Sequence, residues 1–367
     1  MSVHKKWLLS GLFTALAAGG LELCARKIPG FAQAYSSLVY TGLVNTLGRF
    51  SSLFPFSLSE AGLYGLLLLS VWYVIRHIRR PLFILSRGLC LTGILLLSFT
   101  LNCGINYYRD PFSKDAGLTV ALSTTEELYA LCEQLAQAVN QAAAELSGQS
   151  LVPSPYPGQT AETPLLSWKE LGEMGELGRE GMRTLGEEFS RLSGWYPNPK
   201  PLLISRLLSV QQLCGIYSPF TIEANYNREM PYYNIPHTIC HELSHLKGFM
   251  REDEANFIGY LACIRSDSPL FRYSGFLTGW VYAGNALASA DPERFMSLYK
   301  QLAPEVIQDL SYNNQFWDRF DTRVAEAANQ LNDQYLKAYD QSDGVKSYGR
   351  MVDLMLAYNR RAGGGPS

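Results

Sequence analysis

Apolar and polar residues are unevenly distributed along this chain. Long uncharged segments occupy the first 110 residues, and segments with alternating apolar and polar faces follow. Crossing a bilayer takes roughly 20 mainly apolar residues. The pattern therefore predicts three membrane spans, at about residues 5–24, 56–75 and 88–108. Buried core helices are the alternative interpretation, but three such segments before any amphipathic one favour spans.

Positive charges between the apolar segments predict the orientation in the membrane. Lys5 and Lys6 precede the first span, and Arg76, Arg79, Arg80 and Arg87 lie between the second and third. Because loops rich in Lys and Arg stay in the cytoplasm, the N-terminus is expected inside and everything after Tyr108 outside. Residues 31–54 carry apolar side chains at helical spacing and could lie along the outer membrane surface.

The remaining residues, 109–367, show the patterns of a globular domain outside the cytoplasm. We expect helices at 124–146 and 166–193, separated by a Pro- and Gly-rich loop at 147–165. The best strand candidates are Leu202–Val210 and Pro219–Tyr226. From Pro236 to about Arg361 nearly every segment has helical periodicity. The predicted fold class is α+β, mainly α, with a three-helix transmembrane region (1–108) followed by a domain with a small sheet.

Composition excludes several classes of protein. Only 17% of the 367 residues are charged, against about 25% in soluble domains. The net charge of −2 argues against a nucleic-acid-binding surface, and the predicted partner is the lipid bilayer. The 22 Tyr, 17 Phe and 6 Trp exclude disorder as the main state. The seven Cys argue against a disulfide scaffold, because they are few for this length and their number is odd.

One short motif carries chemistry. His241-Glu242-Leu243-Ser244-His245 is an H-E-x-x-H sequence. On a helix, residues i and i+4 share a face, so both imidazoles can reach one metal ion, with Glu242 close enough to act as a general base. The predicted cofactor is Zn²⁺, which activates water for attack on a carbonyl. A coincidental surface helix is the alternative.

A catalytic zinc ion needs a third protein ligand, and three carboxylates follow within Arg251–Asn256. The second motif, E-x-x-A-N, resembles that of the glutamate-ligand zincins, a class of zinc peptidases. The resemblance implies that Glu252 is the third ligand and that Asn256, one helical turn later, supports a zinc-binding histidine. Glu254 is the fallback ligand. A metzincin-like site is excluded because Arg251 occupies the position of its third ligand.

The chain is also similar to an uncharacterised bacterial family of multi-pass membrane proteins of zincin type. The shared segments are Asn106–Arg109, Pro219–Asn225, His241–Phe257 and Tyr273–Gly275. This resemblance covers roughly residues 100–290. It implies a zincin-like domain after the spans, but it does not imply a substrate.

Other residues are weaker candidates. Residues 220–226 could form the sheet edge that pairs with an extended substrate. Asn225 in this segment and Tyr273 are the candidates for contacting the substrate or the oxyanion, although a packed role is the alternative for Tyr273. His237 is expected to be structural. The apolar segment 274–290 could be a fourth span, but its polar neighbours favour a core helix.

These patterns predict a membrane-anchored zinc metallopeptidase that hydrolyses a peptide or protein substrate. Zinc bound by His241, His245 and Glu252 would activate the water, and Glu242 would accept its proton. Two alternatives remain open at this point: a non-catalytic zinc-binding membrane protein with a structural or sensing role, and a zinc hydrolase that acts on cell-envelope material.

Overall fold

The computed structural model describes residues 3–147, 166–339, 341 and 350–362. Its chain divides into two compact units. Unit 1 comprises residues 1–110 together with 217–223, and unit 2 comprises residues 111–216 and 224–367. The sequence predicted a boundary at 108, but it did not predict that a segment near residue 220 belongs to unit 1.

Unit 1 contains three long apolar helices: α1 (Val3–Lys27), α5 (Leu58–His77) and α6 (Pro81–Asn102). With the short helical turn that follows α6, these are long and apolar enough to cross a membrane, and no other helix of the described residues is. They expose many large apolar side chains, among them Phe13, Leu68 and Trp72. In water such a surface would be costly, so these helices fit a membrane protein.

Helices α1 and α6 pack closely because small residues line their contact. A Cβ atom on Gly11 would lie 2.8 Å from the Cα of Cys90, and one on Gly93 would lie 2.5 Å from the carbonyl oxygen of Gly11. Glycine pairs of this kind let helix backbones approach where lipid offers no hydrophobic driving force.

Between α1 and α5 the chain forms a run of short helical pieces. They are α2 (Phe31–Tyr35), α3 (Thr41–Leu43) and α4 (Arg49–Ser51), with π-helical turns Ser36–Tyr40 and Val44–Gly48 between them. This region is helical, as its apolar spacing predicts.

The segment 217–223 is held within unit 1 by polar contacts. The hydroxyl groups of Tyr217 and Tyr40 lie 2.9 Å apart, and Asn102 donates a hydrogen bond of 2.7 Å to the carbonyl oxygen of Pro219. Glu223 accepts hydrogen bonds from the backbone N–H groups of Leu58 and Ser59. A carboxylate at this position pairs with N–H groups that have no partner within the helix, and it compensates the positive dipole end of α5.

Unit 2 is mainly helical. Its helices are α7 (Phe112–Asp115), α8 (Thr125–Ser147), α9 (Trp168–Glu188), α10 (Arg206–Ser209), α11 (Ile235–Leu246), α12 (Glu252–Ile264), α13 (Pro269–Ala290), α14 (Pro292–Tyr299), α15 (Pro304–Asp318), α16 (Arg323–Ala338) and α17 (Met351–Ala362). Helix α11 packs against α9, α12 and α13, and α8 packs along α13. The predicted helices at 124–146 and 166–193 correspond to α8 and α9, and all but the first residue of the predicted loop at 147–165 lies outside the described residues.

A three-stranded sheet is formed by residues between 200 and 226. It contains β1 (Lys200–Pro201), β2 (Gly215–Ser218) and β3 (Glu223–Tyr226) in the order β1-β3-β2, with β1 parallel to β3. The predicted strand at Leu202–Val210 is wrong, because this apolar run contains α10. The predicted strand at Pro219–Tyr226 is half right: β3 occupies its second part, and β2 was not predicted.

The position of β3 also corrects the expected sheet edge. Because β3 lies between two partners, residues 223–226 present no free strand edge, whereas β2 does. Helix α13, for which a core helix was favoured over a fourth span, packs against α8, α11 and α12 and buries residues such as Trp280 and Leu287. It is therefore a core helix of unit 2.

Candidate metal centre

Two local sequence features position the candidate ligands. Pro236 lies in the first turn of α11, where its missing N–H costs nothing, and nearly all residues of this helix are buried. After α11, Gly248 adopts a left-handed conformation with φ of 86°, which turns the chain back on the helix end. Helix α12 then begins at Glu252, so its carboxylate lies in the first turn.

Three side chains converge where α11 meets the start of α12. The Oε2 atom of Glu252 lies 3.2 Å from Nε2 of His241 and 3.6 Å from Nε2 of His245. All three ligand atoms lie within 4.8 Å of one another. The structure thus brings together the three residues that the two motifs single out, and it does so within mostly buried surroundings.

Hydrogen bonds fix the orientation of both imidazoles. Nδ1 of His241 lies 2.8 Å from Oδ1 of Asn256, and Nδ1 of His245 lies 2.8 Å from the backbone carbonyl oxygen of Phe249. Since both acceptors are oxygens, each Nδ1 carries a proton, and each Nε2 faces the cluster, where it can bind a second proton or a metal ion. The turn at Gly248 is what brings the Phe249 carbonyl group back to His245.

This donor set is compatible with a zinc ion in its chemistry and in the two measured separations. Two imidazole nitrogens and one carboxylate oxygen form a common three-ligand set of catalytic zinc. Tetrahedral coordination at about 2.0–2.1 Å places ligand atoms ~3.3 Å apart, close to the two observed separations. The acceptor behind each Nδ1 is the support that zinc-binding histidines usually have.

Glu242 lies beside the cluster but outside it. The residue is 4% exposed, and its Oε2 atom has no hydrogen-bond partner among the described residues. Burial raises its pKa to about 7, although both neighbouring imidazoles oppose this shift. A buried carboxylate without a partner costs stability, which makes Glu242 a candidate functional residue.

The cluster residues influence one another's ionisation. Burial lowers the pKa of His245, but the Glu252 carboxylate outweighs it and raises the pKa to about 9. Burial likewise opposes ionisation of Glu252, and His245 and His241 outweigh it and hold the pKa of Glu252 well below its usual value. This arrangement keeps a carboxylate and a positive charge in contact, and a divalent cation can take the place of the proton.

The other carboxylate proposed as a ligand faces elsewhere. Glu254 accepts a 2.9 Å hydrogen bond from the backbone N–H of Phe112, and its Oε1 atom lies 3.5 Å from Arg251. Only 4% of Glu254 is exposed. These contacts give Glu254 a structural role at the start of α7, and it is not part of the cluster.

His237 lies one turn before His241 and is directed away from the cluster. Its Nε2 atom lies 3.1 Å from the backbone carbonyl oxygen of Asn256, to which the ring donates. Burial, together with His241, lowers the pKa of His237 to about 3, so it is neutral at physiological pH. This placement fits the structural role expected from the sequence.

The two residues suggested for substrate or oxyanion contact are both 1% exposed. The Tyr273 hydroxyl group donates a 2.6 Å hydrogen bond to Asp309, and the Asn225 amide donates a 3.4 Å bond to the backbone of Ile216 within the sheet. Tyr273 therefore matches the packed alternative, and neither residue lines the cavity next to the cluster.

That cavity has a volume of about 440 Å³. His241 and Glu242 line it, and so does Tyr282 from α13. Asn256 uses its Oδ1 atom for His241, so its Nδ2 atom donates to the Tyr282 hydroxyl oxygen at 3.3 Å. The hydroxyl proton of Tyr282 is thus available to another acceptor. Burial raises the pKa of Tyr282, which keeps it protonated. No pattern in the sequence pointed to Tyr282, since α13 is apolar almost throughout.

The free edge strand β2 passes directly beside Glu242. A Cβ atom on Gly215 would lie 2.5 Å from Oε1 of Glu242 and 2.9 Å from the carbonyl oxygen of Asn225. No side chain fits there, so Gly215 allows the strand and the carboxylate to approach. Both Gly215 and the preceding Cys214 line the cavity.

Comparison with known proteins places the chain in a family without assigning an activity. Comparisons with curated proteins and with solved structures give no match. A family model described as "Protein of unknown function (DUF3810)" matches residues 35–356, which include the second and third apolar helices, the H-E-x-x-H helix and α12. The chain therefore belongs to the DUF3810 family.

Proposed function

We propose that this protein is a membrane-anchored zinc metallopeptidase with its peptidase domain outside the cytoplasm. The single observation that carries the proposal is the His241–His245–Glu252 cluster with the unpartnered carboxylate of Glu242 beside it. A structural zinc site usually has four protein ligands and has no use for such a carboxylate. Three ligands plus a base is the composition of a hydrolytic site.

His241, His245 and Glu252 would hold the zinc ion. When bound, zinc acts as a Lewis acid that lowers the pKa of water to about 7 and polarises a carbonyl group.

The other residues have separate roles in the proposed reaction. Glu242 accepts the proton of the attacking water and passes it to the leaving amine as the C–N bond breaks. The Tyr282 hydroxyl donates a hydrogen bond to the carbonyl oxygen as it gains negative charge. The free edge of β2 offers N–H and C=O groups that pair with an extended peptide backbone.

The test compares wild type with Glu242→Gln, purified as full chains in detergent. Zinc content is measured by elemental analysis, and hydrolysis is measured on a library of unstructured peptides. We expect one zinc per chain in both proteins, and hydrolysis lower by about 10²–10⁴-fold in the variant, because glutamine cannot accept the proton. Glu180→Gln, on an exposed face of α9, is the matched control and should behave as wild type.

Each other outcome has a defined meaning. Equal hydrolysis by both proteins would exclude Glu242 as the base. Zinc in both without hydrolysis of any peptide would favour a sensing role, and hydrolysis of isolated envelope material alone would favour the envelope hydrolase. Absence of zinc from wild type would contradict the metal site itself.

A further inference from the structure

The wall of the cavity is rich in side-chain amides and poor in charge. Among the described residues that line it there is no lysine, arginine or aspartate, and Glu242 is the single carboxylate. Six lining residues carry amides: Gln212, Asn234, Asn256, Asn313, Asn329 and Asn332. Such a wall can satisfy hydrogen bonds, but away from Glu242 it offers a charged side chain no counter-charge to offset the loss of water.

Three lining residues, Asn234, Asn313 and Trp317, form a hydrogen-bonded group in this wall. Asn234 donates a 2.7 Å hydrogen bond to Oδ1 of Asn313, and the indole N–H of Trp317 donates to the same oxygen at 3.2 Å. Because an indole N–H can only donate, the orientation of the Asn313 amide is fixed. Its Nδ2 atom, which has no acceptor among the described residues, remains as a donor at the half-exposed surface of the cavity.

The distance from the cluster suits a neighbouring residue of the substrate. Asn234 precedes His241 by seven residues at the start of α11, which corresponds to ~10 Å along the helix axis. An extended peptide advances about 3.3 Å per residue, so this group lies about three residues from the carbonyl carbon that would react.

We propose that the cavity wall formed by Asn234, Asn313 and Trp317 is a specificity subsite for an uncharged, hydrogen-bonding side chain of the substrate, with glutamine or asparagine preferred. Asn313 Nδ2 donates to the carbonyl oxygen of that side chain. The inference rests on the proposed peptidase function and names the class of substrate that this site selects.

The experiment separates binding from cleavage. Labelled hexapeptides of Gly and Ala carry Gln, Leu, Lys or Asp at each central position in turn. Fluorescence anisotropy measures their binding to the zinc-loaded Glu242→Gln protein, and mass spectrometry measures their cleavage by wild type. At one position we expect the Gln peptide to bind and react at least about tenfold better than the Lys, Asp and Leu peptides. A side chain that cannot form the hydrogen bonds of glutamine leaves the amide groups of the wall without a partner.

A second variant tests the residue assignment. Asn313→Asp keeps the acceptor oxygen for Asn234 and Trp317, so the fold should be retained, but it adds a negative charge to the wall. We expect it to raise binding of the Lys peptide by about tenfold and to weaken the Gln peptide. Asn285→Asp, exposed on α13 and outside the cavity, is the matched control and should leave the preference unchanged.

The outcomes distinguish this inference from the proposed function. Preferential binding of the Gln peptide without cleavage by wild type would retain the subsite and contradict the peptidase. Cleavage with a preference for Leu or Lys, or a preference unaltered by Asn313→Asp, would overturn the subsite and leave the peptidase in place. Failure of all four peptides to bind would also overturn the subsite.

Discussion

At the scale of single residues, Asn256 connects more of the site than any ligand does. Its side-chain oxygen accepts from His241, its amide nitrogen donates to Tyr282, and its backbone carbonyl accepts from His237. An aspartate at this position would supply the same acceptor but could not donate to Tyr282. The asparagine therefore couples the orientation of a proposed ligand to that of a proposed substrate-contacting hydroxyl group.

We predict that Asn256→Ala weakens zinc binding by about 10–100-fold, because His241 loses the acceptor that fixes its ring. Asn256→Asp should bind zinc at least as tightly as wild type. Competition with a zinc chelator measures both affinities, and Asn285→Ala on the exposed side of α13 is the control. An unchanged affinity in Asn256→Ala would show that this contact does not support the metal.

Gly215 provides a second test of Glu242, because a substitution here adds one methyl group beside its carboxylate. A methyl group in Gly215→Ala would overlap the Glu242 carboxylate, so one of the two must move. We expect zinc to be retained and hydrolysis to fall by about 10²-fold, the usual effect of misplacing a reacting group by an ångström. Gly172→Ala, at an open position on α9, should leave hydrolysis unchanged. Normal activity in Gly215→Ala would argue against Glu242 as the base.

At the scale of elements, helix α12 separates two similar carboxylates. Glu252 and Asn256 are one turn apart and face the cluster, whereas Glu254 is rotated about 200° from Glu252 and binds the backbone of α7. Helical geometry therefore gives the two glutamates at the start of α12 different surroundings.

We predict that Glu252→Ala abolishes stable zinc binding, whereas Glu254→Ala retains zinc but lowers thermal stability. Loss of Glu254 leaves the buried N–H of Phe112 unsatisfied, which costs about 1–3 kcal/mol. Zinc content and the midpoint of thermal unfolding in detergent distinguish the two effects. Comparable zinc loss in both variants would move the ligand assignment to include Glu254.

The elements differ in how well the sequence predicted them. Long helices such as α8 and α9 follow from periodicity, because their buried faces repeat every 3.6 residues. The short strands do not. The apolar run Leu202–Val210 fits a strand or a buried helix equally well, and α10 forms where Ser205 accepts the N–H of Arg228 from outside the run. Such contacts are not visible in local sequence.

At the scale of the whole molecule, the charge distribution makes a prediction about topology. The arginines between α5 and α6 should remain in the cytoplasm, and unit 2 should lie outside. We expect a membrane-impermeant thiol reagent to label Glu180→Cys in intact cells, above the background of the native cysteines. Ile78→Cys should be labelled only after lysis. Labelling of Ile78→Cys in intact cells, with Glu180→Cys protected, would reverse the orientation.

The sequence alone determined what depends on spacing within one segment. It predicted three apolar helices near the N-terminus, the shared face of His241 and His245, and the shared face of Glu252 and Asn256, since helical geometry relates residues four apart. Tertiary structure decided what depends on contacts between distant segments. It placed the edge strand β2 beside Glu242, it placed Tyr282 rather than Tyr273 in the cavity, and it placed the Asn313 amide in the cavity wall. These contacts join residues tens of positions apart, and no periodicity in the chain encodes which of them pack together.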